Sequence, residues 1–407
     1  LQRDFDFDGE SESANSANFA GCGYNAGFPG KCAAAGGVEE DVQVSSDSRS
    51  DRPRAVGRGS GSNPSSRFLP VVRENDFDQV AFDEEFLEGL ERPKTVYMDD
   101  LSKSVISEND SPDIPFRYSL NPYRGCLHGC SYCYARPTHE YLGLSAGLDF
   151  ETRIFVKRNA PLLLRDFLAR PNWVCETIML SGVTDCYQPI ERQLRLTRQC
   201  LEVALEARQP VSLITKNAMI SRDVDLLAEL AVQGLCRVAL SVNSLDQSLT
   251  RVLEPACSAP AARIEAIRTL SSAGVPVHVM VAPVIPGLND SEMPGVLQAV
   301  AAAGAASAGY IMVRLPLTVE PLFREWLRTH RPLEAEKVES RLRLVRGGKL
   351  SQSEFHERMR GSGEYADHVG ALFSLHRKRC GLASQLPPLR TDLFRPPRTT
   401  QGQQFLF

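Results

Sequence analysis

Cys126-Leu-His-Gly-Cys130-Ser-Tyr-Cys133 sets three thiols within eight residues, a C-x3-C-x2-C run. Thiols this close in sequence belong to one loop and can share one inorganic centre. Three ligands do not close a tetrahedral site, so a fourth comes from elsewhere or one metal position stays open. A 4Fe-4S cluster with an open iron would let a substrate bind the metal directly. The alternative is zinc with His128 or His139 as fourth ligand, although structural zinc loops usually carry paired C-x2-C units. Three unligated buried cysteines are the bland reading. Eleven cysteines spread over 407 residues do not suggest a disulfide framework.

Outward from this run, β-branched stretches alternate with helical ones. Strands are expected at 153–156, 177–180, 211–215, 237–242, 277–281 and 310–313. Helices are expected at 160–168, 190–207, 223–233, 261–273 and 291–303. Alternation of this kind means βαβ units and a parallel sheet, wound by right-handed crossovers into a barrel or an open sheet. Six or so units are too few for a full eight-stranded barrel.

The flanks differ in composition. Residues 1–60 are rich in Ser, Gly, Ala and Asp, and carry ten acids against six bases. They lack apolar periodicity and are expected to be disordered. Residues 331–398 hold fourteen bases and eight acids, with helices expected at 334–345 and 352–359, and a short amphipathic helix is expected at 78–90. The divisions expected are a disordered segment (1–64), an arm (65–115), the barrel (116–315), a helical basic C-terminal extension (316–386) and a flexible tail (387–407). The whole chain has a net charge of −4, so no global excess of positive charge points to nucleic acid. Acidic opening residues and the lack of a long apolar run predict a cytoplasmic chain with no membrane span.

The C-x3-C-x2-C run followed by repeated βα units resembles the radical S-adenosylmethionine (SAM) superfamily. The segments Ser181-Gly-Val-Thr-Asp185, Thr215-Lys216-Asn217, Ser241-Val-Asn243, Glu254-Pro255 and Arg263 resemble the branch related to spore photoproduct lyase. The resemblance spans about Tyr118 to Val313 and implies a partial (β/α)6 barrel, a TIM-like α/β fold with its cluster at the C-terminal ends of the strands. It implies a 4Fe-4S cluster on Cys126, Cys130 and Cys133, SAM as second cofactor, and a reductant such as a flavodoxin or ferredoxin. By the same resemblance Thr184, Lys216 and Ser241 hold SAM, Tyr132 packs on its adenine, and Ile285-Pro-Gly287 lies beside it.

One departure matters. The branch carries a hydrogen-donating cysteine two residues before the hydroxyl matched by Thr184, and here that position is Gly182. Cys186, two residues after Thr184, is the candidate substitute, and Tyr134 is a candidate radical relay. The expected substrate is nucleic acid, with DNA-lesion repair the branch's implication. A protein or small-molecule substrate is the alternative, and a non-catalytic iron-sulfur sensor is a third. The terminal Gln403-Gln-Phe-Leu-Phe407 resembles the peptide that docks on the bacterial sliding clamp.

Overall fold

The computed structural model describes residue 55, residues 57–68 and residues 93–398. The helix expected at 78–90 and the peptide Gln403–Phe407 lie outside the described residues.

Ten strands occur among the described residues: β1 (Val96–Asp99), β2 (Ile106–Glu108), β3 (Tyr118–Leu120), β4 (Tyr123–Arg124), β5 (Arg153–Val156), β6 (Ile178–Leu180), β7 (Val211–Thr215), β8 (Cys236–Ser241), β9 (Val277–Val284) and β10 (Ser307–Met312). The larger sheet has the order β10-β9-β8-β7-β6-β3-β2. Its strands from β10 to β3 run parallel, and β2 joins antiparallel at the β3 edge. Helices fill the crossovers, which makes the partial (β/α)6 barrel that the alternation and the resemblance together imply. Arg153–Val156 is a strand but not a barrel strand. It pairs parallel with β1 and antiparallel with β4 in a separate small sheet.

Three crossover helices, Ala160–Leu168, Pro260–Ser272 and Met293–Ala302, carry proline in the first turn, where no intrahelical partner is lost. The single helix expected at 190–207 is two. Arg195 takes a left-handed backbone (φ 52°) between Glu191–Leu194 and Leu196–Ala207. The Glu191 carboxylate accepts the amides of Leu196 and Thr197 at 3.0 Å, so it caps the second helix. In the region expected as a helix at 352–359, only the short Glu357–Arg360 forms.

The barrel sheet has two unlike faces. Leu213, Val238, Leu240, Val277, Val279 and Val281 are fully buried in one apolar core with the crossover helices. Leu213 pairs with Val238, and Leu240 with Val279, so these residues share a face. Between them Ile214, Arg237, Ala239, His278 and Met280 are half-buried on the inner face. Ser241 ends this inner row, in register with Met280.

The C-terminal helices Val319–His330 and Ala335–Val345 form a second apolar cluster with Cys130 and Tyr132, through Phe323, Trp326, Leu327, Val338 and Leu342. At the opposite end, where strands begin, the amides of Ala383, Arg390 and Arg395 donate to the carbonyls of Ala306, Gly234 and Ala207. No described helix is long and apolar enough to cross a membrane.

Candidate functional site

The thiol run follows β4 as a set of nested turns. The amides of Gly129, Cys133 and Arg136 turn back to the carbonyls of Cys126, Cys130 and Cys133. Outside partners fix it as well: Cys126 N–H donates to Phe150 O, Leu127 N–H to Gln188 Oε1 and Ser131 N–H to Leu253 O. Arg136, fully buried, donates to the carbonyls of Gly129, Cys130, Ala146 and Gly147 and pairs with Glu151 at 2.5 Å. The turn is therefore held by its backbone, which leaves the thiols uncommitted. Cys126 and Cys130 are 6% and 7% exposed, Cys133 is half-buried, and none forms a disulfide.

The thiols polarise one another. A hydrogen bond with Cys257, whose sulfur is 3.8 Å away, and the Lys216 ammonium draw the Cys130 thiol down to about 7 in spite of burial. Burial and the neighbouring Cys130 and Cys126 push Cys133 up to about 12. A cationic metal would offset the repulsion among thiolates held this close, so the donor set suits a metal centre. The two histidines of the zinc alternative each have a partner outside the thiol turn. His128 Nδ1 lies 3.3 Å from Asp185, and His139 Nε2 lies 2.9 Å from Arg153 O. Among the described residues no three His, Cys, Asp or Glu side chains converge on a single ion.

Strand ends bring further polar groups to the turn. Lys216 follows β7, with its ammonium 5.9 Å from the Tyr132 ring centre. Burial disfavours its charge, but Cys130, Glu254, Cys257 and Asp185 outweigh that and raise its pKa. Tyr132 donates its hydroxyl to Glu254, which pairs with the buried Arg263; Arg263 in turn donates to Ser241 O at 3.0 Å. This chain ties the thiol turn to the end of β8. Asp185 accepts from Thr215 Oγ1, the Lys216 amide and the Tyr187 amide. Burial works to raise its pKa, yet His128 and those donors hold it at about 2.

Two buried groups here lack partners among the described residues: Ser131 Oγ and both amide atoms of Asn243. Asn243 stands two residues beyond Ser241. An unpaired buried amide costs about 1–3 kcal/mol, a cost that a polar ligand would remove. Three thiols outside any disulfide and an orphaned amide at the same sheet end fit a cluster and a polar cofactor beside it.

The remaining sequence candidates are placed unevenly. Thr184 is buried, and its hydroxyl donates to Tyr123 O at 2.6 Å, so only its lone pairs are free for a ligand. Tyr134 is 51% exposed, donates to Gly182 O at 2.8 Å and carries the Arg314 guanidinium over its ring. Cys186 is not among the residues brought together. It is fully buried in the apolar core with Tyr187 and Cys200, and burial raises its thiol pKa well above the usual value. Gly182 has no room for a side chain, since a Cβ would lie 2.9 Å from Ser119 Cβ. Cys257, Asn243 and the His128–Asp185 pair are site groups whose roles no motif spacing announces.

A family model described as the Radical SAM superfamily matches residues 120–300. An uncharacterised protein of Mycobacterium tuberculosis is 38% identical over 263 residues, covering 64% of this chain and 76% of that protein. An uncharacterised protein of Methanocaldococcus jannaschii is 31% identical over 176 residues, 43% of this chain and 63% of its own length. Among solved structures, spore photoproduct lyase complexed with dinucleoside spore photoproduct superposes with a TM-score of 0.53 at 16% identity, over 71% of this chain and 82% of that one. A variant of that lyase with bound AdoMet and dinucleoside spore photoproduct gives 0.52 at 17% identity, over 72% and 82%. At such identities these two likenesses speak for the fold.

Proposed function

Because the chain belongs to the radical SAM superfamily, whose enzymes use a 4Fe-4S cluster, SAM and an external reductant, we propose that Cys126, Cys130 and Cys133 are its cluster ligands. When bound, the cluster and SAM supply one-electron cleavage of a sulfonium and a radical that abstracts hydrogen. The chain's own residues bind, orient and shield. Lys216 is the cation for the SAM carboxylate, Ser241 and the Thr184 oxygen are polar contacts, and Tyr132 is the aromatic wall. The observation that supports this reading is the placement at one sheet end of the three thiols of one turn, the Lys216 ammonium and the orphaned Asn243 amide. Helices Val319–His330 and Ala335–Val345 cover the Cys130 side with apolar groups, which keeps water from a reactive intermediate.

Nucleic acid is the substrate class we favour, with lesion repair the specific form. Support comes from the half-exposed Tyr134 ring beside Arg314, a pairing that suits a base and its phosphate, and from the net +6 of residues 331–398. Tyr134 is then a base-stacking or relay residue at the mouth. The burial of Cys186 supports packing rather than hydrogen donation. The peptide Gln403–Phe407 is proposed to dock on a sliding clamp, so deletion of Phe405–Phe407 should abolish binding to purified clamp. The substrate test is anaerobic turnover with UV-irradiated and intact oligonucleotides. Release of 5′-deoxyadenosine should rise with the irradiated strand. Equal release with and without DNA would remove nucleic acid as the substrate.

A further inference from the structure

The segment 57–68 has the composition of a loose linker, yet it lies against the thiol turn. Gly59 N–H donates to Glu151 Oε2 at 3.1 Å and Ser60 N–H to Glu151 Oε1 at 3.0 Å. Glu151 is fully buried and its other partner is Arg136, which holds the Gly129 and Cys130 carbonyls. Both chains also touch directly. A Cβ on Gly59 would stand 1.4 Å from Gly129 O, and one on Gly129 would stand 2.6 Å from Glu151 Oε2. Gly129 has φ +63°, so neither glycine tolerates a side chain.

Anchors on either side keep the segment in place. Arg58 donates to Pro93 O and Thr95 Oγ1, Asn63 exchanges hydrogen bonds with Asp149, and Arg67 pairs with Glu140. A buried carboxylate accepting from two backbone amides and a guanidinium is costly to disturb, because each contact to a charged group contributes about 1.5–3 kcal/mol.

We propose that residues 57–68 are a strap that locks the ligand turn from outside, with Gly59 and Ser60 as positioning residues for Cys130. The chain of force runs from the strap amides to Glu151, to Arg136, and to the carbonyls that orient Cys130. The inference rests on the reading of the turn as the cluster loop, but the strap itself is testable without a cluster.

Gly59→Ala forces the strap off the turn, and Asn63→Ala loosens a side anchor without adding bulk. In the metal-free full-length chain, alkylation by iodoacetamide is mapped cysteine by cysteine. Both variants should alkylate at Cys130 faster than the parent, Gly59→Ala by about tenfold or more for one lost charged contact. Cys200 and Cys236, buried in the barrel core, should keep their slow rates and so report intact folding. After anaerobic reconstitution, the cluster absorbance of both variants should bleach faster in air. Unchanged Cys130 alkylation in Asn63→Ala, or a parallel rise at Cys200, would overturn the strap, and this holds even if Gly59→Ala fails to fold. A parent chain that takes up no iron but shows the expected alkylation pattern would count against the cluster reading and leave the strap standing.

Discussion

The two faces of the barrel sheet are built from the same strands and treat their residues in opposite ways. The face against the helices buries Leu213, Val238, Leu240 and Val279 almost completely, with each pleat in register with the next. The inner face leaves Ile214, Arg237, Ala239, His278 and Met280 half-buried and ends in Lys216 and Ser241. The apolar packing therefore sits on one side of the sheet, and the polar candidates Lys216 and Ser241 end the other. Barrel enzymes place working groups at such strand ends.

The largest break in this contrast should come from the packed face. Leu240→Ala removes a fully buried side chain next to Val279 and should destabilise the chain by about 2–5 kcal/mol, read by chemical denaturation. Iron bound per folded chain should not change.

The inner face should respond to acid instead. Burial, and then Arg237, depress His278 to about 4, while the unfolded chain titrates near 6.5. The unfolded state thus binds the extra proton between these values. Stability is complete above about 6.5 and falls as pH drops towards 4, by about 3 kcal/mol in all. His278→Asn should flatten that acid limb in denaturation curves between pH 7 and 4. An unchanged slope would show that His278 is not held neutral.

Lys216→Ala removes the cation beside buried Glu254 and Asp185, so it should lower the denaturation midpoint as well as weaken SAM binding by about 1.5–3 kcal/mol, the latter measured by equilibrium dialysis on the reconstituted protein. Equal SAM affinity would make Lys216 a bystander. The smallest effect belongs to Tyr134→Phe, which deletes one half-exposed hydrogen bond to Gly182 O and should cost about 0.5–1.5 kcal/mol of stability. If that substitution abolishes turnover while leaving SAM affinity intact, Tyr134 acts as a relay.

Much of this contrast was legible. β-branched runs such as Val211–Thr215 and the prolines opening crossover helices carry local signals, and those elements lie where periodicity put them. The thiol turn was legible because three cysteines fall within eight residues and so share one loop. What escaped depends on contacts between distant segments. Arg195 breaks a helix because Glu191 offers a cap, and nothing in the local hydrophobic pattern marks it. Cys257 meets Cys130 from 127 residues away. Cys186 was read by its place on a loop, whereas the direction of its side chain, into the core, is set by tertiary packing. Residues 57–64 and 387–395 fall in segments that composition reads as disordered (1–64) and flexible (387–407), and they hold on through backbone amides and a few charged pairs that have no apolar periodicity to announce them.

The central claim is that the three thiols of one turn hold a cluster that serves SAM. Its direct measurement is electron paramagnetic resonance of the full-length chain, reconstituted anaerobically with iron and sulfide and reduced with dithionite, with and without SAM. The parent should bind about four irons per chain, give a reduced-cluster resonance whose shape SAM alters, and release 5′-deoxyadenosine. The Cys126→Ala, Cys130→Ala, Cys133→Ala triple variant should lose iron, resonance and product together. A triple variant that keeps its iron and resonance, or a fully loaded parent whose resonance ignores SAM, would contradict the account.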